Sequence, residues 1–489
     1  MNKASTARVT LDPENWDEFR SLAHQMIDDT VDYLQNVSSR PAWRPMPAEV
    51  RNSFSEPVPH SGVGAAAAYA DFRERILPYP NGSIHPRFWG WVQGTGTPLA
   101  MMAEMLASAM NPHMAGFNQA PALVEKQVVR WVAELMGYPA DASGLLVSGG
   151  TMANILGLAV ARHARCGFDI RQDGLQGAGK RPKLLVYGSS ETHTWVFKGL
   201  EFMGLGRAAF RSVPVNVDYT INLALLGEML QRDKEAGHLP ICIIGTAGTV
   251  NTGATDDLES LAAIAREHNT WFHVDGAFGA WLRISEKLKS LVAGMEQADS
   301  IGLDLHKWVY LPFECACVLV RDAELHRAAF ASTVSYLAMA DRGVMAGGIP
   351  FANLGIDLTR NFKALKVWMQ FKAHGIGHIA RVIEQNVDDV QYLVDYIRKS
   401  KEMELLAPAP LNIACFRYIR SGMPDDALDR LNNEILLRIQ EQGIATPSGT
   451  TVDGKFAIRV ANTNHRSRRE DFDALLEAVI RFGREVEMK

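Results

Sequence analysis

Lys307, set among apolar residues and directly after a histidine in Ile301-Gly302-Leu303-Asp304-Leu305-His306-Lys307-Trp308-Val309, is the strongest chemical signal in this chain of 489 residues. Lysine is seldom fully buried unless paired, and desolvation favours the neutral amine that attacks a carbonyl carbon. Lys307 is therefore the candidate Schiff-base nucleophile. The commoner state of a lysine is an exposed strand end, so the assignment depends on Asp275, 32 residues upstream. There Trp271-Phe272-His273-Val274-Asp275-Gly276-Ala277-Phe278-Gly279-Ala280 reads as a short apolar strand ending in an acid and then small residues. Ligands in open α/β sheets collect at the carboxyl ends of strands. A carboxylate there can keep a pyridine-type ring nitrogen protonated, and Ala277 is small enough for a flat ring to lie against. Taken alone, Asp275 would serve equally as a helix N-cap.

Two further elements concern anions and stacking. Gly144-Leu145-Leu146-Val147-Ser148-Gly149-Gly150-Thr151-Met152-Ala153-Asn154 precedes an apolar stretch with helical spacing, Ile155 to Val160. Glycines ahead of a helix free backbone N–H groups to face an anion such as phosphate, and the helix dipole adds to the attraction. Such turns also serve tight packing alone. His193, in Ser189-Ser190-Glu191-Thr192-His193-Thr194, follows the apolar Leu184-Leu185-Val186-Tyr187 and can stack on a planar ring, though a lone histidine is more often structural.

In the order glycine turn, His193, Asp275, His306-Lys307, these elements closely resemble the group II pyridoxal-phosphate (PLP)-dependent amino-acid decarboxylases, a family that includes aromatic-L-amino-acid, histidine, glutamate and cysteine-sulfinate decarboxylases. The likeness runs from Asp17-Glu18-Phe19-Arg20 through His85-Pro86-Arg87-Phe88-Trp89 and Asn361-Phe362-Lys363-Ala364-Leu365-Lys366-Val367-Trp368 to Arg459-Val460-Ala461-Asn462. It implies an α/β, aspartate-aminotransferase-like fold (fold type I), with a large domain built on a mostly parallel sheet and a smaller C-terminal α/β domain. By resemblance, Lys307 carries PLP, Asp275 pairs with its ring nitrogen, and His193 and Ala277 flank the ring. Gly150, Thr151 and His306 bind the phosphate, and Thr246 in Gly245-Thr246-Ala247-Gly248-Thr249 sits close to cofactor and substrate. Asp304 departs from the pattern, standing where some aromatic decarboxylases have a phosphate-binding asparagine; it is expected to bond backbone groups instead.

The resemblance also implies a mechanism. The substrate's bond to its carboxylate stands perpendicular to the ring so that its electrons flow into the cofactor, and Tyr336, in Ser335-Tyr336-Leu337 on a loop after the lysine, returns a proton to Cα. By itself Tyr336 reads as an ordinary partly buried tyrosine. The family's side-chain pocket maps to Ser83 through Gly94, here offering Ser83, Trp91, Val92, Gln93 and Gly94. Trp91 keeps aromatic character and the amide residues of the acidic-substrate branches are absent, which favours an aromatic L-amino acid. An acidic amino acid remains an alternative. So do an aldehyde synthase, which usually carries phenylalanine at the loop tyrosine, and a catalytically silent scaffold, against which intact Lys307, Asp275 and His193 argue.

Residues so far apart in sequence must be gathered by a sheet. Apolar runs at Leu184 to Tyr187, Ile241 to Gly245, Trp271 to Val274 and Ala316 to Val320 alternate with helical stretches, implying a mostly parallel sheet covered by helices over residues 81–365. Residues 366–489 mix helices with strands at Ile413 to Tyr418 and Phe456 to Val460, a smaller α/β domain. Residues 1–80 carry the helical pattern Phe19, Leu22, Met26, Val31, Leu34 and then an irregular proline-containing stretch; the family packs such a segment across a partner subunit, implying a homodimer. The length exceeds what one core serves. With 47% hydrophobic and 21% charged residues and a net charge of −5, nothing points to nucleic acid or to an anionic membrane. No apolar run is long enough to span a membrane and the first residues lack a signal-like core, so a cytoplasmic location is expected. Five cysteines without a Cys-x-x-Cys pair indicate neither a disulfide framework nor a metal site. Gly174 to Lys180 has P-loop spacing, but Arg181 replaces the magnesium-binding hydroxyl and the preceding residues are not a buried strand, so it reads as a surface loop. Gly94-Thr95-Gly96 lacks the third glycine of a dinucleotide fingerprint.

Overall fold

The computed structural model describes residues 9–177, 181–332, 341–346 and 350–485. Its larger sheet has seven strands: β1 (Ser143–Val147), β2 (Leu184–Ser189), β3 (Phe210–Val213), β4 (Leu239–Thr246), β5 (Trp271–Asp275), β6 (Ser300–Asp304) and β7 (Ala316–Val320). They lie in the order β1-β7-β6-β5-β4-β2-β3. Strands β3, β2, β4, β5 and β6 run parallel, while β7 is antiparallel to both β6 and β1. Helices cover the sheet, so its central strands are buried on both faces and are continuously apolar rather than alternating. Ile241, Ile243 and Ile244 of β4 are all fully buried, each stabilising the fold by about 1.5–3 kcal/mol relative to exposure.

Helix Gly150–Arg165 follows β1 and packs against β4, β5, β6 and β7. Behind the sheet's carboxyl edge, His273 of β5 bonds Asn154 of that helix through Nε2 at 2.9 Å and Ser300 Oγ of β6 through Nδ1 at 2.8 Å. Burial lowers its pKa to about 4, so the ring is neutral at physiological pH.

A second, antiparallel sheet has the order β10-β11-β9-β8, from β8 (Met403–Leu405), β9 (Ile413–Tyr418), β10 (Ser448–Val452) and β11 (Lys455–Ala461). Helices Asp425–Glu441 and Arg469–Glu485 close its core. The six strands expected from sequence are all present; β1, β3, β6, β8 and β10 were not anticipated.

The N-terminal pattern forms helix Trp16–Gln35, capped by the Asn15 side chain, which accepts from the N–H groups of Asp17 and Glu18. No residue of this helix is buried in the single chain: Trp16 is 59% exposed, Phe19 44% and Val31 47%. Among the described residues, no helix is long and apolar enough to cross a membrane, and no cluster of His, Cys, Asp and Glu could hold a metal ion. All five cysteines are free and buried.

Candidate active site

Three neighbouring strands end in polar residues at one edge of the large sheet: Thr246 on β4, Asp275 on β5 and Asp304 on β6. A cleft of about 490 Å³ opens there. It gathers Lys307, Asp275, His193, Ala277, Thr246, Gly150, Thr151 and His306 with Trp91, Val92 and Gln93, which are spread over more than 200 residues of sequence. Parallel connectivity is what brings them together, since every loop leaving a parallel strand emerges at the same edge.

The Asp275 carboxylate is held from two sides. Trp195 Nε1 donates to Oδ2 at 2.7 Å and the Ala277 backbone N–H donates to Oδ1 at 3.2 Å. The carboxylate is thereby fixed in orientation at the cleft. His193 lies in the loop before helix Trp195–Phe202, and its Nδ1 accepts the Trp195 backbone N–H at 3.2 Å. The surrounding walls remove enough water to lower the His193 pKa, with the charge of Asp275 pulling the other way. Thr246 is set by the buried Asp256, whose Oδ2 accepts its backbone N–H at 2.8 Å; burial pushes the Asp256 carboxyl up to about 6.

Beyond β6, the chain turns at Leu305 to Val309 and presents Lys307. Its side chain is 21% exposed and its Nζ lies 2.8 Å from Asp304 Oδ2. Asp304 thus pairs with the lysine rather than turning its carboxylate to backbone groups, a correction to the sequence expectation. Its main chain is satisfied separately, the N–H donating to the Ala277 carbonyl at 3.0 Å and the carbonyl accepting Trp281 Nε1 at 2.8 Å, while the carboxylate Oδ1 has no hydrogen-bond partner. His306 turns Nδ1 toward the Cys315 carbonyl at 2.8 Å, and burial lowers its pKa. A Cβ on Gly150 would stand 2.7 Å from Asp304 Oδ2, so the start of helix Gly150–Arg165 sits directly on this carboxylate.

The residues fit a phosphorylated, ring-bearing cofactor. In the cleft wall the Thr246 hydroxyl is buried with no hydrogen-bond partner, and the N-terminus of helix Gly150–Arg165 offers backbone donors.

The other wall comes from loops. Trp91 is 56% exposed with φ of +53°, a left-handed backbone that a bulky residue adopts only when its surroundings impose it. Here they do: buried Arg459 of β11 donates to the Trp91 carbonyl at 3.0 Å, and also to the carbonyls of Val250 and Asn251. Gly94 approaches so closely that a Cβ would stand 2.2 Å from the His306 carbonyl oxygen and 2.3 Å from that of Lys307. Ser83, expected in the substrate pocket, does not line this cleft in the single chain; it sits in a turn where the Asn81 side chain accepts its N–H at 3.2 Å. Tyr336 lies outside the described residues.

Sequence reasoning did not single out Trp195, Glu191 or Phe278, all lining the cleft. Trp195 carried a usable signal, a tryptophan two residues after His193 at the entry to a helix. Glu191 receives the Asn251 amide at 3.0 Å, and nothing local in sequence announces that contact.

The family described as "Pyridoxal-dependent decarboxylase conserved domain" matches residues 47–419. Aromatic-L-amino-acid decarboxylase of Bacillus atrophaeus is 30% identical over 478 residues, covering 96% of each chain. L-2,4-diaminobutyrate decarboxylase of Rhizobium meliloti is 30% identical over 480 residues, 97% of this chain and 94% of the other. The crystal structure of Oryza sativa TDC with PLP and tryptamine superimposes with a TM-score of 0.89 at 24% identity, covering 97% of this chain and 99% of that one, a likeness of fold. The fold expected from the resemblance is the one found, and the chain belongs to the pyridoxal-dependent decarboxylases.

Proposed function

We propose that this PLP-dependent amino-acid decarboxylase, a carboxy-lyase, acts on an aromatic L-amino acid, releasing carbon dioxide and the corresponding amine. The observation that carries the site assignment is the convergence of Lys307, Asp275 and His193 in one cleft, with Asp275 fixed between Trp195 and Ala277. When bound, PLP supplies an electron sink for the bond to the departing carboxylate. The protein's part is placement. Lys307 would hold the cofactor covalently, Asp275 would keep a proton on its ring nitrogen, and His193 and Ala277 would confine the ring. Gly150, Thr151 and His306 would receive the phosphate, and the Thr246 hydroxyl would face cofactor and substrate. Tyr336 would deliver a proton to the substrate's Cα, the step that separates amine formation from oxidation.

Trp91, Val92 and Gln93 supply an aromatic and partly apolar wall for the side chain. Glu191 favours a second reading, a side chain bearing an ammonium group, as in the substrate named for the Rhizobium meliloti relative. Its carboxylate opposes an acidic side chain. Assaying the twenty common amino acids and 2,4-diaminobutyrate for carbon dioxide and amine release decides among these; aromatic substrates are expected to lead. In the same assay, Tyr336→Phe is expected to lose amine sharply and to gain aldehyde, ammonia, hydrogen peroxide and dioxygen uptake. Amine formation at the parental rate without oxygen uptake would exclude Tyr336 as the proton donor.

The exposed apolar side chains of helix Trp16–Gln35, together with Met105, Leu106 and Met110 on helix Pro98–Met110, support a homodimer in which residues 1–80 pack across the partner. A fully active monomer in sedimentation would refute it. Residues 81–365 and 366–489 serve as the large and small domains in this reading. Five unpaired, buried cysteines suit the reducing cytoplasm. Expression with a compartment marker tests that location.

A further inference from the structure

Behind the turn that presents Lys307, one buried amide holds two side chains at once. Asn386, in the middle of helix Ile376–Lys399, is 1% exposed. Its Oδ1 accepts Trp308 Nε1 at 3.1 Å and the Tyr310 hydroxyl at 2.7 Å. Its Nδ2 donates to the Asn464 carbonyl at 2.9 Å. An indole nitrogen only donates, so the amide has a single orientation. Trp308 and Tyr310 are the first and third residues after Lys307, and both are almost fully buried.

Leucine has the same branched outline and none of the cost of burying an amide, so packing alone does not account for asparagine here. What the amide adds is direction: two donors converge on one oxygen, which fixes the side chains on either side of Val309. The backbone between them needs such a hold. Tyr310 has φ of +56°, a left-handed conformation that a bulky residue keeps only where its surroundings impose it. Elsewhere the turn is held through its backbone: Gln370 Nε2 donates to the Val309 carbonyl at 3.3 Å, and the N–H groups of Leu305 and His306 reach the Cys315 carbonyl at 3.0 and 3.1 Å.

We infer that Asn386 is a positioning residue for Lys307: by holding Trp308 and Tyr310 it aims the turn, and with it the amine, for covalent capture of the cofactor. The inference rests on the reading that Lys307 holds PLP; Asn386 itself does not line the cleft. In that capture the Lys307 ammonium and the cofactor's aldehyde form a C=N bond. The aldehyde oxygen leaves as water with two of the ammonium protons, and the third stays on nitrogen with the positive charge. What the protein controls is the placement of Nζ against the carbonyl carbon, and a misplacement of about 1 Å can slow a reaction about 10²-fold. A loosened turn leaves the ring and phosphate contacts in place and slows capture alone.

The test mixes full-length enzyme freed of cofactor rapidly with saturating PLP and reads the C=N bond by its visible absorbance. In Asn386→Leu the first-order rate of bond formation is expected to fall about tenfold or more, and in Tyr310→Phe, which keeps the ring and removes one of the two donors, about threefold. Both substitutions together should slow it little more than Asn386→Leu alone, because groups that act through one contact are not additive. The compound 4-deoxypyridoxine 5′-phosphate, with ring and phosphate but a methyl group in place of the aldehyde, reads the rest of the site. Its dissociation constant, from tryptophan fluorescence, should match the parent's in every variant. Tyr310→Phe carries the test if Asn386→Leu, which strands both donors, fails to fold. A parental rate in Tyr310→Phe overturns the inference. So does a loss of 4-deoxypyridoxine 5′-phosphate binding in proportion to the loss of rate, which is what a general loosening of the fold would give. A parent protein that takes up PLP without a borohydride-reducible bond at Lys307 overturns the Lys307 reading and the inference with it, an outcome separately visible.

Discussion

The two walls of the cleft are built by different means. The cofactor wall is made of strand ends: Thr246, Asp275 and Asp304 project from adjacent parallel strands whose backbones are locked in the sheet, and Trp195 and Asp256 hold its polar groups from behind. The wall proposed for the substrate is made of loops, Trp91 to Gln93, Glu191 and Val250, with the carbonyls of Trp91 and Val250 tied down by the guanidinium of Arg459. In the proposed reading, chemistry common to many substrates is placed on the stiffest part of the molecule. Discrimination among substrates is placed where residues can change without disturbing the sheet.

Perturbing the cofactor wall should therefore cost turnover, while perturbing the substrate wall should redistribute it. Asp275→Asn is expected to lower kcat by roughly 10²-fold or more, the scale of losing one preorganised electrostatic group, with far less effect on cofactor retention. Trp195→Phe, which removes only the donor at 2.7 Å, should move kcat in the same direction by about tenfold, equivalent to about 1.4 kcal/mol. Equal and uniform losses of cofactor binding in both variants would mean that this wall serves retention rather than chemistry.

The rigidity of that wall has its own pH signature. His273 is fully buried with a pKa lowered to about 4, below its unfolded value near 6.5. Its contribution to stability is complete above the unfolded value and is lost as pH falls toward about 4, because the unfolded chain then binds the proton more readily. His273→Gln should flatten thermal stability across that window by about 1–3 kcal/mol. His85 and His326, also lowered to about 4, and His465, lowered to about 3, will leave part of the acid lability in place. An unchanged acid profile would show that the ring does not titrate through unfolding. At the loop wall, Glu191→Gln should shift the ratio of kcat/KM between aromatic and diamino substrates by only a few-fold, about 1 kcal/mol or less. A change in kcat for every substrate alike would erase the distinction between the walls.

The same contrast explains what the sequence made legible. Interior strands β2, β4, β5, β7, β9 and β11 are apolar enough to be read directly, and Asp275 and Lys307 announce themselves by interrupting such runs. Of the five strands missed, β1, β3, β8 and β10 are the edges of the two sheets. Edge strands need only one neighbour and mix polar with apolar residues, as in Phe210-Arg211-Ser212-Val213, so their pattern is weak. Strand β6 was hidden differently, its short apolar run continuing into the lysine turn. For the site, family likeness named the residues expected at the cofactor but gave no role to Trp195, Glu191 or Arg459, whose contacts run across 80, 60 and 368 residues of sequence.

Gly94 joins the two walls. Its missing side chain lets the loop that carries Trp91 rest on the carbonyls of His306 and Lys307, with no room for even a methyl group. Redirecting the enzyme to another amino acid therefore meets a fixed hinge point: residues 91 to 93 can be redrawn for a new side chain, but a larger residue at 94 would push the lysine turn itself. Libraries that randomise this loop should hold Gly94 constant, because a gain in recognition there would be exchanged for the placement of the Lys307 amine proposed to hold the cofactor.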